Sequence, residues 1–137
     1  MSTVMTVLGP IVPEQLGVTL MHEHLLLDAT PWHQPSEVAS LRPIASQPVS
    51  MEILGLLHND PFMCLDNCEL FDEATAIAEA RRFRLAGGDT IVDPTCRGIG
   101  RDHRALQRIS RATGLHVVMG TEPCYPLVTT RNRNVLL

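Results

Sequence analysis

Two histidines separated by one residue, His22 and His24, close the apolar run Gly17-Val18-Thr19-Leu20-Met21. On a β-strand successive side chains point to opposite faces, so this pair emerges on one side, about 7 Å apart. Two imidazoles held that way can grip one metal ion through ring nitrogens at roughly 2.0–2.1 Å, a geometric role and not an acid–base one. A His-x-His pair is common by chance on spacing alone. This one stands at the end of an apolar strand signal, where parallel-sheet enzymes place their chemistry. Two ligands do not complete a site. Glu23, between them, reads as a strand residue pointing away from a metal. Asp93 ends a later strand and either faces the same mouth or caps a turn before Pro94. Arg97 and Arg101 could orient an anionic substrate, but they read more simply as solvated loop arginines. His33 and His58 read as exposed loop residues, His103 as a helix-start residue and His116 as a strand opener.

The elements that would position these groups follow from the same sequence. A run from Asp28 to Asn67 carries Pro31, Pro35, Pro43, Pro48 and Pro61, a density that argues against a continuous helix or a central strand. Long loops in compact domains usually serve a function, and on a barrel this one would lie on the catalytic face. Asp72-Glu73 then places acid in the first turn of a helix running to about Ala86, stopped by Gly87-Gly88. Its expected apolar face is Ala74, Ile77, Ala78 and Leu85, an imperfect stripe that takes in Arg81 and leaves out Phe83. Asp89 to Asp93 is a short strand ended by Pro94. Asp102 caps a second helix, with Ala105, Leu106, Ile109 and Ala112 on one face and Arg104, Gln107, Arg108 and Arg111 off it. Gly114 closes that helix and His116 to Gly120 forms a third strand. Strand, helix, strand, helix, strand predicts an α/β fold with a parallel sheet.

Composition narrows the function class. The chain has 137 residues, 45% apolar and 19% charged, ordinary for a soluble globular domain. A formal charge of -4 without a dense basic run argues against nucleic acid or an anionic membrane as partner. No apolar segment approaches the ~20 residues that span a bilayer, and no signal peptide is evident, so the expected compartment is the cytoplasm. Cys64, Cys68, Cys96 and Cys124 do not repeat the tight pairs of a zinc finger and read as free, partly buried thiols. There is no lysine; all eleven basic residues are arginine.

Several blocks jointly resemble a known family. Thr6-Val7-Leu8-Gly9-Pro10-Ile11, Pro13-Glu14-Gln15-Leu16-Gly17-Val18-Thr19-Leu20-Met21-His22-Glu23-His24-Leu25, Ala86 to Thr95, Gly98-Ile99-Gly100-Arg101-Asp102 and Thr113 to Thr121 are similar to the opening of phosphotriesterase-family proteins, which include phosphotriesterase-like lactonases. The resemblance implies the first three βα units of a (β/α)8 barrel. It implies a two-metal centre, usually zinc, at the C-terminal mouth, with His22 and His24 holding one of the two ions. It also implies hydrolysis of small-molecule ester, lactone or phosphotriester substrates, and a homodimer for a full-length form. The family's remaining ligands, a carboxylated lysine or glutamate, two histidines and an aspartate, belong to later strands and match no position here. The absence of lysine excludes the carboxylated-lysine bridge within this polypeptide. The whole chain, residues 1–137, therefore reads as one incomplete barrel domain, family-like over 1–121, with a divergent tail over 122–137. After Thr121 the family commonly continues with glycine and aromatic residues near the substrate, and Tyr125 is the candidate for that substrate-binding place. The ending reads as a truncation. Two alternatives stand beside the hydrolase: a catalytically inactive short form, and an enzyme completed by a partner chain.

Overall fold

The computed structural model describes residues 2–121. The chain opens with an antiparallel hairpin, β1 (Val4–Thr6) and β2 (Gly9–Ile11), closed by the Thr6 hydroxyl on the Gly9 carbonyl at 2.7 Å. β3 (Thr19–Leu20) follows and leads directly into the histidine pair. β4 (Leu27–Asp28) pairs antiparallel with the later β5 (Glu69–Leu70), so the proline-rich stretch leaves and re-enters the body at one point. That stretch is not structureless. It holds a 3-10 helix over Ala39–Ser46 and the short helix α1 (Leu54–Asn59), folded over a small core of Ile44, Ile53, Leu57, Met63 and Cys64. The expectation that proline density forbids a long helix holds, while His58 sits in the last turn of α1 and not in a loop.

The principal layer is a three-stranded parallel sheet in the order β3-β6-β7, where β6 is Thr90–Asp93 and β7 is His116–Met119. Helices α2 (Glu73–Leu85) and α3 (His103–Thr113) connect the strands. Each begins where an aspartate satisfies amides of the first turn. Asp72 accepts from Ala74 and Thr75, both at 3.1 Å, and Asp102 from Arg104 at 2.9 Å and Ala105 at 3.0 Å. Gly114 closes α3 in the left-handed conformation, as its type and place predict. Two βα units and the strand of a third are thus formed, an α/β arrangement belonging to a partial barrel. Among the described residues no helix is long and apolar enough to cross a membrane.

The α2 face differs from the expected one, while α3 buries Ala105, Leu106 and Ile109 as expected. In α2 the buried positions are Ala76 and Ala80, with Ile77 and Phe83 packed against the same core as Ile91, Ile109 and Leu115. Ala74 and Ala78 are exposed and Leu85 is 87% exposed. The reason is angular: at ~100° per residue Leu85 lies about 180° around the helix from Ala76. In α3 the buried row is Ala105, Leu106, Ile109, Ser110 and Thr113, and Ala112 faces out. The hydroxyls of Ser110 and Thr113 enter the interior because each has a backbone carbonyl to donate to, Leu115 at 2.6 Å and Ile109 at 2.8 Å.

Candidate functional site

Regular pairing of β3 with β6 covers two residues, Thr19 with Thr90 and Leu20 with Ile91. What holds the longer segment from Gly17 to Leu26 is a set of contacts from both ends of β6. At the lower end the Asp89 carboxylate accepts from the Val18 amide at 3.1 Å, while the Asp89 and Thr90 amides donate to the Val18 carbonyl at 2.9 and 3.1 Å. Arg84 binds the other Asp89 oxygen at 2.5 Å. The Val18 amide and then the Arg84 guanidinium hold Asp89 below the usual carboxylate range. This close approach needs Gly17, whose φ is +55° and where a Cβ would stand 2.1 Å from Asp89.

At the upper end the chain bends beyond Leu20, and Glu23 keeps contact with the sheet through its amide, 3.0 Å from the Val92 carbonyl. His22 and His24 flank that anchor. Both lie beyond the end of β3 and not on a strand as expected, and their ring centroids are 5.4 Å apart with the planes at 75°. His22 is exposed and His24 half-buried. Asp93, with no exposed surface, takes the Leu25 amide on one carboxylate oxygen at 3.1 Å and the Thr95 amide on the other at 2.8 Å. Both sequence readings of Asp93 are therefore combined. It caps the turn through Pro94 and also clamps the residue after the histidine pair, with one backbone amide on each oxygen.

Thr95 completes this fixture. It is 1% exposed, and its hydroxyl lies 2.8 Å from His24 Nδ1 and 3.3 Å from the Leu26 carbonyl. Sequence reading does not single out Thr95, since its contact with His24 spans 71 residues and no local spacing encodes it. Arg101 is not a freely solvated loop arginine. It is half-buried and donates to the Gly120 carbonyl at 2.5 Å, tying the loop after β6 to the end of β7; Arg97 is exposed. His103 opens α3 and His116 opens β7, as read from the sequence. His33 is half-buried, against the exposed placement expected, and its Nε2 has no hydrogen-bond partner among the described residues. Tyr125 lies outside the described residues.

The donor set suits a divalent metal as far as it goes. Two imidazoles side by side are nitrogen donors of the kind zinc takes, and one ring nitrogen of His24 is engaged in a hydrogen bond while, among the described residues, the other is not. Among the described residues, no group of three or more His, Cys, Asp or Glu side chains could hold an ion. Cys64 and Cys68 are free and fully buried, and burial pushes the Cys68 thiol up. Cys96 is disulfide-bonded, which corrects the expectation of free thiols throughout; Cys124 lies outside the described residues. A cavity of about 430 Å³ opens between α2 and the sheet, with Leu20, Leu25, Phe83 and Ile91 on its apolar walls and His24, Glu23, Glu69 and Glu79 also lining it.

Comparison with known proteins agrees with this architecture. Residues 2–126 match the profile of the phosphotriesterase family. An N-acetyltaurine hydrolase from Tetraodon nigroviridis is 38% identical over 118 residues, covering 85% of this chain and 34% of that protein. A resiniferatoxin-binding protein from Rhodobacter sphaeroides superposes with a TM-score of 0.79 at 50% identity, covering 85% of this chain and 33% of its own. A lactonase from Listeria monocytogenes gives 0.58 at 28% identity over 86% of this chain and 27% of its own. The chain spans about a third of the length of the curated relatives it matches. With the profile covering nearly the whole sequence, the chain belongs to the phosphotriesterase family.

Proposed function

We propose that this chain supplies the first two metal ligands of a metal-dependent hydrolase, His22 and His24 binding one divalent ion of the zinc class. The observation that carries the reading is the convergence of the two rings, 5.4 Å apart, where the first strand of a parallel sheet ends. The substrate class proposed is a small molecule with an ester, lactone or phosphotriester bond. It rests on the family and on relatives that include a lactonase and an N-acetyltaurine hydrolase.

When bound, the metal supplies Lewis acidity toward a carbonyl or phosphoryl oxygen and activates water. The residues of this chain have positional tasks. Asp93 and the Glu23 amide fix the backbone on either side of His24, and Thr95 orients its ring. Arg101 holds the ends of β6 and β7 together at the same end of the sheet. None of these groups is placed to act as nucleophile or general base. Hydrolysis is accordingly proposed for a complete barrel, and metal binding for this segment.

The test is calorimetric titration of the 137-residue chain with zinc or cobalt(II), beside a His22→Ala/His24→Ala variant, with a lactone and an aryl ester assayed in parallel. One weak site that vanishes in the variant, without turnover, is expected. Equal uptake by both proteins would refute the ligand assignment. Turnover by the chain alone would refute the division between binding and catalysis.

A further inference from the structure

We infer that Thr95 is a positioning residue that sets the tautomer of His24, keeping the ring proton on Nδ1 and leaving the Nε2 lone pair as the donor. The purpose of this arrangement rests on the metal reading above; the tautomer itself does not.

The argument is one of proton counting. The Thr95 hydroxyl has a single proton and two polar neighbours, His24 Nδ1 at 2.8 Å and the Leu26 carbonyl at 3.3 Å. A carbonyl can only accept, so the contact with Leu26 uses the hydroxyl proton. Only lone pairs of the threonine oxygen then remain for the imidazole, and Nδ1 must be the donor. The opposite assignment sends the hydroxyl proton to Nδ1, gives up the bond to Leu26 and places the ring proton on Nε2. That form satisfies one contact where the first satisfies two, and its Nε2 has no lone pair with which to bind a metal.

The hydroxyl is also held in place. The Thr95 amide donates to Asp93 at 2.8 Å, and the other Asp93 oxygen takes the Leu25 amide at 3.1 Å. Asp93 and Thr95 thus grip three consecutive residues, His24, Leu25 and Leu26, through a ring nitrogen, an amide and a carbonyl. Both are almost wholly buried, although their partners His24, Leu25 and Leu26 are only half-buried. Threonine is stiff at χ1, which keeps Oγ1 aimed while its methyl packs. No hydrogen bond reaches the His22 side chain among the described residues, and that ring is exposed. The two histidines of one pair are therefore prepared differently, His24 fixed in advance and His22 left to adjust.

This contrast supplies the test. Two-bond proton–nitrogen correlation spectra of the 15N-labelled 137-residue chain report each histidine's tautomer directly. They are recorded at about pH 8.5, above the ordinary imidazole pKa of roughly 6.5. His24 is expected to show a protonated Nδ1 and a bare Nε2, and His22 the mixture seen in free histidine. A protonated Nε2 on His24 would overturn the inference. Thr95→Val should return His24 to the pattern of His22, and Thr95→Ser should keep the fixed form. If Thr95→Val does not fold, the wild-type and Thr95→Ser spectra still decide. In cobalt(II) titrations Thr95→Val should bind about 10-fold more weakly, the lower end of the usual cost of losing an outer partner. Cobalt(II) failing to bind any form, with His24 still in the Nδ1–H form, would sink the metal reading and leave the role of Thr95 standing.

Discussion

Asp93 shows how much of the site is held by residues that touch no ligand. It is a fully buried carboxylate with no cationic partner among the described residues, and it accepts from two backbone amides. Asp93→Ala leaves both amides without acceptors in a buried place, at a cost of about 1–3 kcal/mol each. Urea unfolding should therefore register a loss of roughly 2–6 kcal/mol, with Asp93→Asn between wild type and Asp93→Ala because one acceptor oxygen survives. A change within about 0.5 kcal/mol would show that the clamp is not formed. The sequence makes the histidine pair legible because its spacing of two is local along the chain. It leaves Asp93 ambiguous, since a carboxylate before proline caps a turn in most settings. It hides Thr95 altogether, because the partner that gives this side chain its meaning lies 71 residues away in sequence.

At the scale of elements, the ends of the helices and most of the α3 face were legible, and the α2 face was not. Asp72, Asp102 and Gly114 act where their types predict, since a cap is a contact between near neighbours in sequence. The α2 face fails because its inward row is alanine, which admits close packing on the sheet but carries little periodic signal. Ile109 and Leu85 offer the sharpest contrast, one with no exposed surface and the other 87% exposed. Ile109→Ala should cost about 2–5 kcal/mol by thermal or urea unfolding, and Leu85→Ala less than about 0.5 kcal/mol. The caps also make a statement about pH. Asp72 is held below the usual carboxylate range by the Thr75 hydroxyl and the amides of Ala74 and Thr75, and Asp102 chiefly by the Ala105 amide. Glu73 is lowered by Arg108, which reaches it from α3. A carboxylate whose folded pKa lies below its unfolded value binds fewer protons when folded, so stability rises with pH through that range. The contribution is complete above the ordinary carboxylate range near pH 4 and is lost as pH falls through the lowered folded values. Urea midpoints measured from about pH 7 to pH 3 should therefore fall on the acid side, and Asp72→Asn should flatten that fall. A midpoint that rose on acidification would contradict the assignment of these caps.

The whole molecule is governed by what three parallel strands cannot do. A (β/α)8 barrel removes every sheet edge by closure, whereas here β3 pairs with β6 alone among the described residues. The hairpin tip covers part of the opposite side, with the Val7 amide on the Val117 carbonyl at 2.8 Å and the Gln107 amide group on the Val7 carbonyl at 2.9 Å. Among the described residues nothing comparable covers the β3 side, where Leu20, Leu70 and Phe71 stand exposed along the cavity beneath α2. An exposed strand edge beside an apolar hollow is a surface that recruits a partner or another copy. The isolated chain should bind a hydrophobic dye and self-associate as concentration rises, and sedimentation velocity over a concentration series would record it. Leu70→Gln and Phe71→Gln together should reduce both signals without altering the core of Ile91, Ile109 and Leu115, which those side chains do not enter. A monomer at all concentrations with a sharp cooperative melt would mean that two βα units and a third strand suffice to bury what this sequence must bury. In that case the cavity would have to be read as a binding cleft in its own right, and the division of labour proposed for His22 and His24 would need a second site to explain it.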